Sequence, residues 1–129
     1  MKKSMMILVA GPYRSGTSDN PAKMAENLDK LEVAALRLWQ MGHLPVIGEW
    51  LALPLIKKLG SKNIGDEIWQ TFAYPVADRL LNHCDGVLRL PGTSKGADGD
   101  VEQAQVLGLQ IYTDISQIPH GIVRQGRSV

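Results

Sequence analysis

Cysteine is almost missing from this sequence. Its 129 residues contain one, Cys84, which excludes an intramolecular disulfide and any zinc site built on cysteines. The three histidines, His43, His83 and His120, have no metal-ligand spacing among them, so no metal is expected and no cofactor is implied. Charge of one sign is also lacking. Lys plus Arg number 14 against 13 Asp plus Glu, and a formal charge of +1 gives no electrostatic reason for a polynucleotide partner. Long hydrophobic runs are absent. Met5 to Ala10 follows Met1-Lys2-Lys3-Ser4 in the manner of a short signal peptide, but the run is only six residues long and ends at Gly11-Pro12. Nothing approaches a membrane span, so a cytoplasmic protein with no membrane partner is expected. Familiar phosphate motifs are missing too. The glycines after the first apolar run do not have dinucleotide-fingerprint spacing, no Gly-Lys-Ser/Thr follows them, and the paired glutamates of a Nudix box do not occur.

What is present is ordinary globular composition. Hydrophobic residues make up 44% and charged residues 21%, enough for one domain with its own core. Met5–Ala10 is continuously apolar, as expected of a strand covered on both faces in a parallel sheet. Asn20-Pro21 marks a helix start, and Met24, Leu28, Leu31, Ala35 and Leu38 form one apolar face up to the terminating Gly42. His43–Ile47 is a second strand, and Gly48–Gly60 a short helix that Pro54 disturbs. Asp66 caps a helical stretch that Pro75 breaks or kinks before it continues to His83. Asp85–Leu90 is the third strand, Asp98–Leu107 a helix ended by Gly108, and Leu109–Tyr112 the fourth strand. One last turn follows at Ile115–Pro119. The pattern predicts an α/β, flavodoxin-like three-layer fold with a four- or five-stranded parallel sheet over residues 1–118. Residues 119–129 are expected to be a polar, mobile tail. Four strands leave edges uncovered, which predicts a homodimer or larger homo-oligomer.

Ligands of such sheets bind at the carboxyl ends of strands where strand order reverses, which directs attention to the loops after Ala10 and Leu90. In the first, Gly11-Pro12 allows close approach to the backbone, Tyr13 can stack or hydrogen-bond, and Arg14 can pair with a phosphate; a merely polar tight turn fits equally well. In the second, Ser94, Lys95 and Gly96 lie at a helix start, where free amides suit a phosphate or carboxylate. Asp98 is explained by the helix dipole alone. Asp100 and Glu102 are two apart and cannot face the same way. With Ala104 and Leu107 turned to the sheet, Asp100 is the inward carboxylate and Glu102 the solvated one. Glu49 and Trp50 follow the second strand, where Glu49 can bond a sugar hydroxyl and Trp50 can face a ligand, although each of Trp39, Trp50 and Trp69 also fits a core or interface. Cys84 is expected to be buried and inert.

A strand running into Gly11-Pro12-Tyr13, a long helix ending in Gly42-His43, and the stretch CDGVLRLPGTSKGADGDVEQAQVLGLQIY from Cys84 to Tyr112 resemble the nucleoside 2-deoxyribosyltransferase-like superfamily, and within it the small bacterial DUF4406-type members. The resemblance spans about Met5 to Tyr112 and is most specific from Asp85 onward. It implies a flavodoxin-like fold, often dimeric. The implied chemistry is cleavage of the N-glycosidic bond of a nucleoside or nucleoside 5′-monophosphate, in which a carboxylate attacks the anomeric carbon. Ser94 and Gly96 match the phosphate loop and Tyr13 the aromatic residue after the first strand. The nucleophile position falls on Asp100, where the family has Glu. The family's assisting Asp falls on Ala77, with Asp78 beside it as a substitute or as an exposed acid next to Arg79. The expected function is therefore an N-glycosidase or deoxyribosyltransferase. The alternatives are a nucleotide-binding protein of the same fold that does not catalyse, or a small scaffold whose cleft is vestigial.

Overall fold

The computed structural model describes residues 3–122. Strand β1 (Met6–Ala10) lies inside the sheet, with Ile7, Leu8, Val9 and Ala10 all buried. Such burial on both faces explains why the strand has no alternation of polar and apolar residues. It pairs in parallel with β2 (Leu44–Val46) on one side and β3 (Gly86–Arg89) on the other, and β3 pairs in parallel with β4 (Gln110–Tyr112). The strand order is β2-β1-β3-β4. Ile7 and Val9 meet Leu31, Ala35 and Leu38 of helix α1 (Pro21–Gln40) on one face. Leu8 and Ala10 meet Leu81, Ala97 and Ala104 on the other, from α3 (Pro75–Leu81) and α4 (Lys95–Val106). With α2 (Gly48–Lys58) the described residues hold four α-helices and form a flavodoxin-like, three-layer α/β fold.

Local chemistry sets the element ends. The Asn20 side chain accepts hydrogen bonds from the amides of Ala22 and Lys23, and Pro21 occupies the first helical position. Gly42, with φ 94°, turns the chain out of α1. Its N–H reaches the Trp39 carbonyl and that of His43 reaches Leu38, the paired bonds of a Schellman end. This places His43 in the core, where Nδ1 accepts from the Met5 N–H at 3.1 Å and Nε2–H donates to the Pro119 carbonyl at 2.6 Å. The Gly121 N–H donates to the Met41 carbonyl at 2.7 Å, so chain beyond residue 118, expected as tail, is tied to the end of α1. The rest of that expected tail, 123–129, lies outside the described residues.

Three expectations are refined. Helix α4 begins at Lys95 rather than Asp98, with Ser94 as its cap. Leu107 does not face the sheet; it is 38% exposed, whereas Ala104 is fully buried. Pro75 neither ends nor simply kinks its helix. Its ring would collide with the carbonyl four residues back and it has no N–H to donate. The preceding turn widens into a π-helical turn, Trp69–Ala73, in which the Tyr74 N–H reaches back to the Trp69 carbonyl at 3.4 Å. Among the described residues no helix is long and apolar enough to cross a membrane.

Candidate active site

The sheet's order reverses between β1 and β3, and a cavity of about 860 Å³ opens at their carboxyl ends. Its floor is the loop after β1, from Gly11 and Tyr13 to Gly16. One side is the start of α4, from Ser94 to Ala97 with Asp100 a turn further in, and another is Gly48 and Glu49 at the start of α2. The π-turn supplies the remaining wall through Trp69, Gln70, Ala73 and Tyr74. The volume suits a ligand of nucleotide size.

Ser94 is buried, and its Oγ accepts the Ala97 N–H at 3.1 Å. The first intrahelical bond runs from Asp98 N–H to the Ser94 carbonyl, so the N–H groups of Lys95 and Gly96 precede it and remain available to an anion. Lys95 adds a positive charge at the same rim. The guanidinium of Arg89 braces this loop, donating to the carbonyls of Leu90 and Gly92 and to Asp98 Oδ1.

The loop after β1 differs from its sequence reading. A Cβ on Gly11 would stand 3.0 Å from Leu31 and 3.1 Å from Leu90, so this glycine is required by core packing. Pro12 does not line the cavity; it borders a neighbouring depression of about 570 Å³ and packs against Gly92. The Tyr13 carbonyl accepts from Asn27 Nδ2 at 2.9 Å, and burial, then the charge of Glu49, raise the pKa of its phenol. Arg14 lies on the cavity wall already occupied. Its Nε and Nη2 donate to the two oxygens of Asp19 at 2.6 and 3.0 Å, and Nη1 donates to Tyr74 Oη at 2.9 Å. The guanidinium carbon is 6.0 Å from the Trp69 ring centroid, and a Cβ on Gly65 would overlap the group. Ser18 and Asp19 both take left-handed backbone, φ 50° and 57°, to deliver that carboxylate.

Asp100 lines the cavity while Glu102 is exposed. Burial, then the charges of Glu49 and Asp78, push the Asp100 carboxyl up to about 7, against a lowering pull from Arg89. Burial also raises Glu49, opposed by a hydrogen bond from its own backbone N–H. Besides Pro12, two candidates are not brought in. Trp50 is 40% exposed and donates its indole N–H to Glu32 Oε2 on α1 at 2.8 Å. Asp78 is exposed on α3 and does not line the cavity, where Ala77 stands instead. Sequence reasoning missed Asp19, Gln70 and Tyr74, and gave Trp69 only a core or interface role. Nothing local distinguishes them, because each reaches the cavity through the Arg14 cluster or the π-turn.

Cys84 is buried, and burial, then Asp85, pushes its thiol up to about 11, which disfavours the reactive thiolate. Among the described residues no group of three or more His, Cys, Asp or Glu side chains could hold a metal ion. Fold and cavity together define the class: a flavodoxin-like α/β domain with an open cleft at its switch point, lined by carboxylates and by the start of a helix. Compared with protein-family models, curated proteins and solved structures, the chain matches none.

Proposed function

We propose that this protein is a cytoplasmic N-glycosidase or deoxyribosyltransferase-like enzyme acting on a nucleoside or nucleoside 5′-monophosphate. The observation that carries the reading is Asp100, a half-buried carboxylate in a nucleotide-sized cavity, one helical turn beyond the anion-binding start of α4. In this reading Ser94, Gly96 and Lys95 hold the phosphate, and Tyr13 orients the sugar or the attacking carboxylate. Asp100 attacks C1′ as the C1′–N bond breaks, and the electron pair leaves with the base, which takes up a proton. Water or a second base then opens the glycosyl–Asp100 ester. The resemblance to the nucleoside 2-deoxyribosyltransferase-like superfamily supports the same chemistry. Aspartate is one methylene shorter than the family's Glu, so the sugar must sit closer to α4. We further propose that the chain works as a homodimer through the exposed apolar row of α1.

The test is base release from a panel of nucleosides and 5′-monophosphates, followed by chromatography, with Asp100→Ala and Glu102→Ala in parallel. Release lost in Asp100→Ala alone is the expected result. Release lost only in Glu102→Ala would assign the nucleophile to the wrong carboxylate. A second reading, a nucleotide-binding protein without turnover, is favoured by the Asp in place of Glu and by Ala77 in place of an acid. It predicts thermal stabilisation by one nucleotide with no free base, and affinity that survives Asp100→Ala.

A further inference from the structure

We propose that Glu49 is the second carboxyl group of the reaction, giving a proton to the departing base and then taking one from the water that opens the glycosyl–Asp100 ester. The inference rests on the N-glycosidase reading of the cavity and assigns a residue that reading leaves open.

Three acidic side chains line the cavity: Asp19, Glu49 and Asp100. Asp19 is spent, both of its oxygens being bound by Arg14. Asp78 is exposed on α3 and absent from the lining, so it has no direct path to a bound base. The α3 residue that does face the cavity, Ala77, lies 3.7 Å from where a Cβ on Gly48 would stand. Gly48 and Ala77 thus let α2 and α3 approach closely at the cavity wall, where Glu49 stands in the first turn of α2. Among the described residues no side chain donates a hydrogen bond to the Glu49 carboxylate, which leaves it free to exchange a proton with a ligand.

Glu49 and Asp100 line the same cavity, and the charge of Glu49 is the second-largest cause of the Asp100 shift after burial. Two carboxyls so placed hold one proton between them over an intermediate pH range. At rest that proton sits on Asp100, the more strongly raised of the two. The reaction uses the other arrangement of the same singly protonated pair, with Asp100 ionised toward C1′ and the proton on Glu49 for the base. The other ionisable groups at the pair are Asp78 from α3, Arg89 from β3, Tyr13 from the loop after β1 and Lys95 from α4. Electrons and atoms balance. The C1′–N pair goes to the base with the Glu49 proton, and an Asp100 oxygen bonds C1′. Water then bonds C1′ as its proton passes to Glu49 and the ester electrons return to Asp100.

The experiment compares the unaltered protein with Glu49→Gln and Asp100→Asn on two substrates. One is the fastest substrate of the panel above; the other is its N-methylated form, whose cationic base departs without taking a proton. Glu49→Gln is expected to lower kcat/KM on the unmodified substrate by about 10²–10⁴-fold. On the methylated form its loss should be under about tenfold, and the alkaline fall of the pH profile should vanish. Asp100→Asn should lose both substrates alike. Should Glu49→Gln fail to fold by circular dichroism, Glu49→Asp, which withdraws the carboxyl by one methylene, must show the same split. Equal losses on the two substrates, or none, with base still released by the unaltered protein, overturn the Glu49 assignment alone. No release by the unaltered protein from any panel member overturns the enzymatic reading and this assignment with it.

Discussion

Asp100 is a half-buried carboxyl whose environment disfavours its charge. Its carboxyl moves from an ordinary 3.8 to about 7 because burial, Glu49 and Asp78 all disfavour its charge. Between those values the folded chain binds more protons than the unfolded chain, so stability falls as pH rises from about 4 to about 7 and stays reduced above. Asp100→Asn removes the buried charge. The variant should melt above the parent at pH 8, by a margin worth about 1–3 kcal/mol, and level with it below pH 4. Parallel melting curves across that range, followed by circular dichroism, would show that the carboxyl is solvated. Arg14 gives a second prediction. Asp19→Asn keeps a side chain that tolerates left-handed backbone but releases the guanidinium. Calorimetry should then find a 5′-monophosphate bound more tightly while the matching nucleoside is unchanged; equal gains for both would disconnect Arg14 from the phosphate. Asp100 could be placed from sequence because Ala104, one turn on, had to be buried. Glu49 with Trp50, and Ala77 with Asp78, show why other assignments fail. Successive helix residues point about 100° apart, so only one of each pair can face the cleft.

At the scale of elements, the two ends of glycine's use predict opposite signs. Gly99 lies inside α4, where an added Cβ meets nothing within 4 Å, so Gly99→Ala should stabilise by about 0.5–1 kcal/mol through helix propensity. Gly42 holds φ 94° at the end of α1, and Gly42→Ala should destabilise by about 1–2 kcal/mol. Urea melts of the pair decide both; a loss in Gly99→Ala would mean that α4 is not continuous through that residue. These elements were legible because their signals are local: Asn20-Pro21, the spacing from Met24 to Leu38, and the apolar run of β1. The π-turn was not. Pro75 announces a disturbance, but its form depends on Asp66, whose oxygens collect the Ser61 hydroxyl and the amides of Lys62, Asn63, Ile68 and Trp69. Desolvation of Asp66 opposes its ionisation, yet the Asn63 and Lys62 amides and the bonds that follow hold its pKa below the usual value. That knot brings Trp69 to the cavity through contacts that leave no periodic trace in sequence.

At the scale of the molecule, the surface is unevenly finished. Val33, Leu36 and Trp39 recur at three-residue spacing along α1 and are 54%, 56% and 63% exposed. Leu44 of the edge strand β2 and Leu51 and Leu55 of α2 are also exposed, and Trp50 of α2 is bonded to Glu32 of α1. An exposed edge strand and a row of exposed apolar residues on a helix are features that monomeric proteins rarely leave open together. A twofold contact through α1 would cover the helix row with a second copy of the same row, since a two-fold interface sets each patch against itself. The cavity opens at the carboxyl ends of β1 and β3, away from the middle of α1, so such pairing leaves the site accessible. The chain is therefore expected to sediment as a dimer at micromolar concentration. Trp39→Lys should convert it to a monomer without lowering its helix content, because the indole contributes little to the folded monomer at that exposure. Light scattering coupled to size exclusion separates the outcomes. A parent that is monomeric throughout, or a Trp39→Lys variant that stays dimeric, would remove this face from the assembly and leave the edge of β4 as the surface to examine.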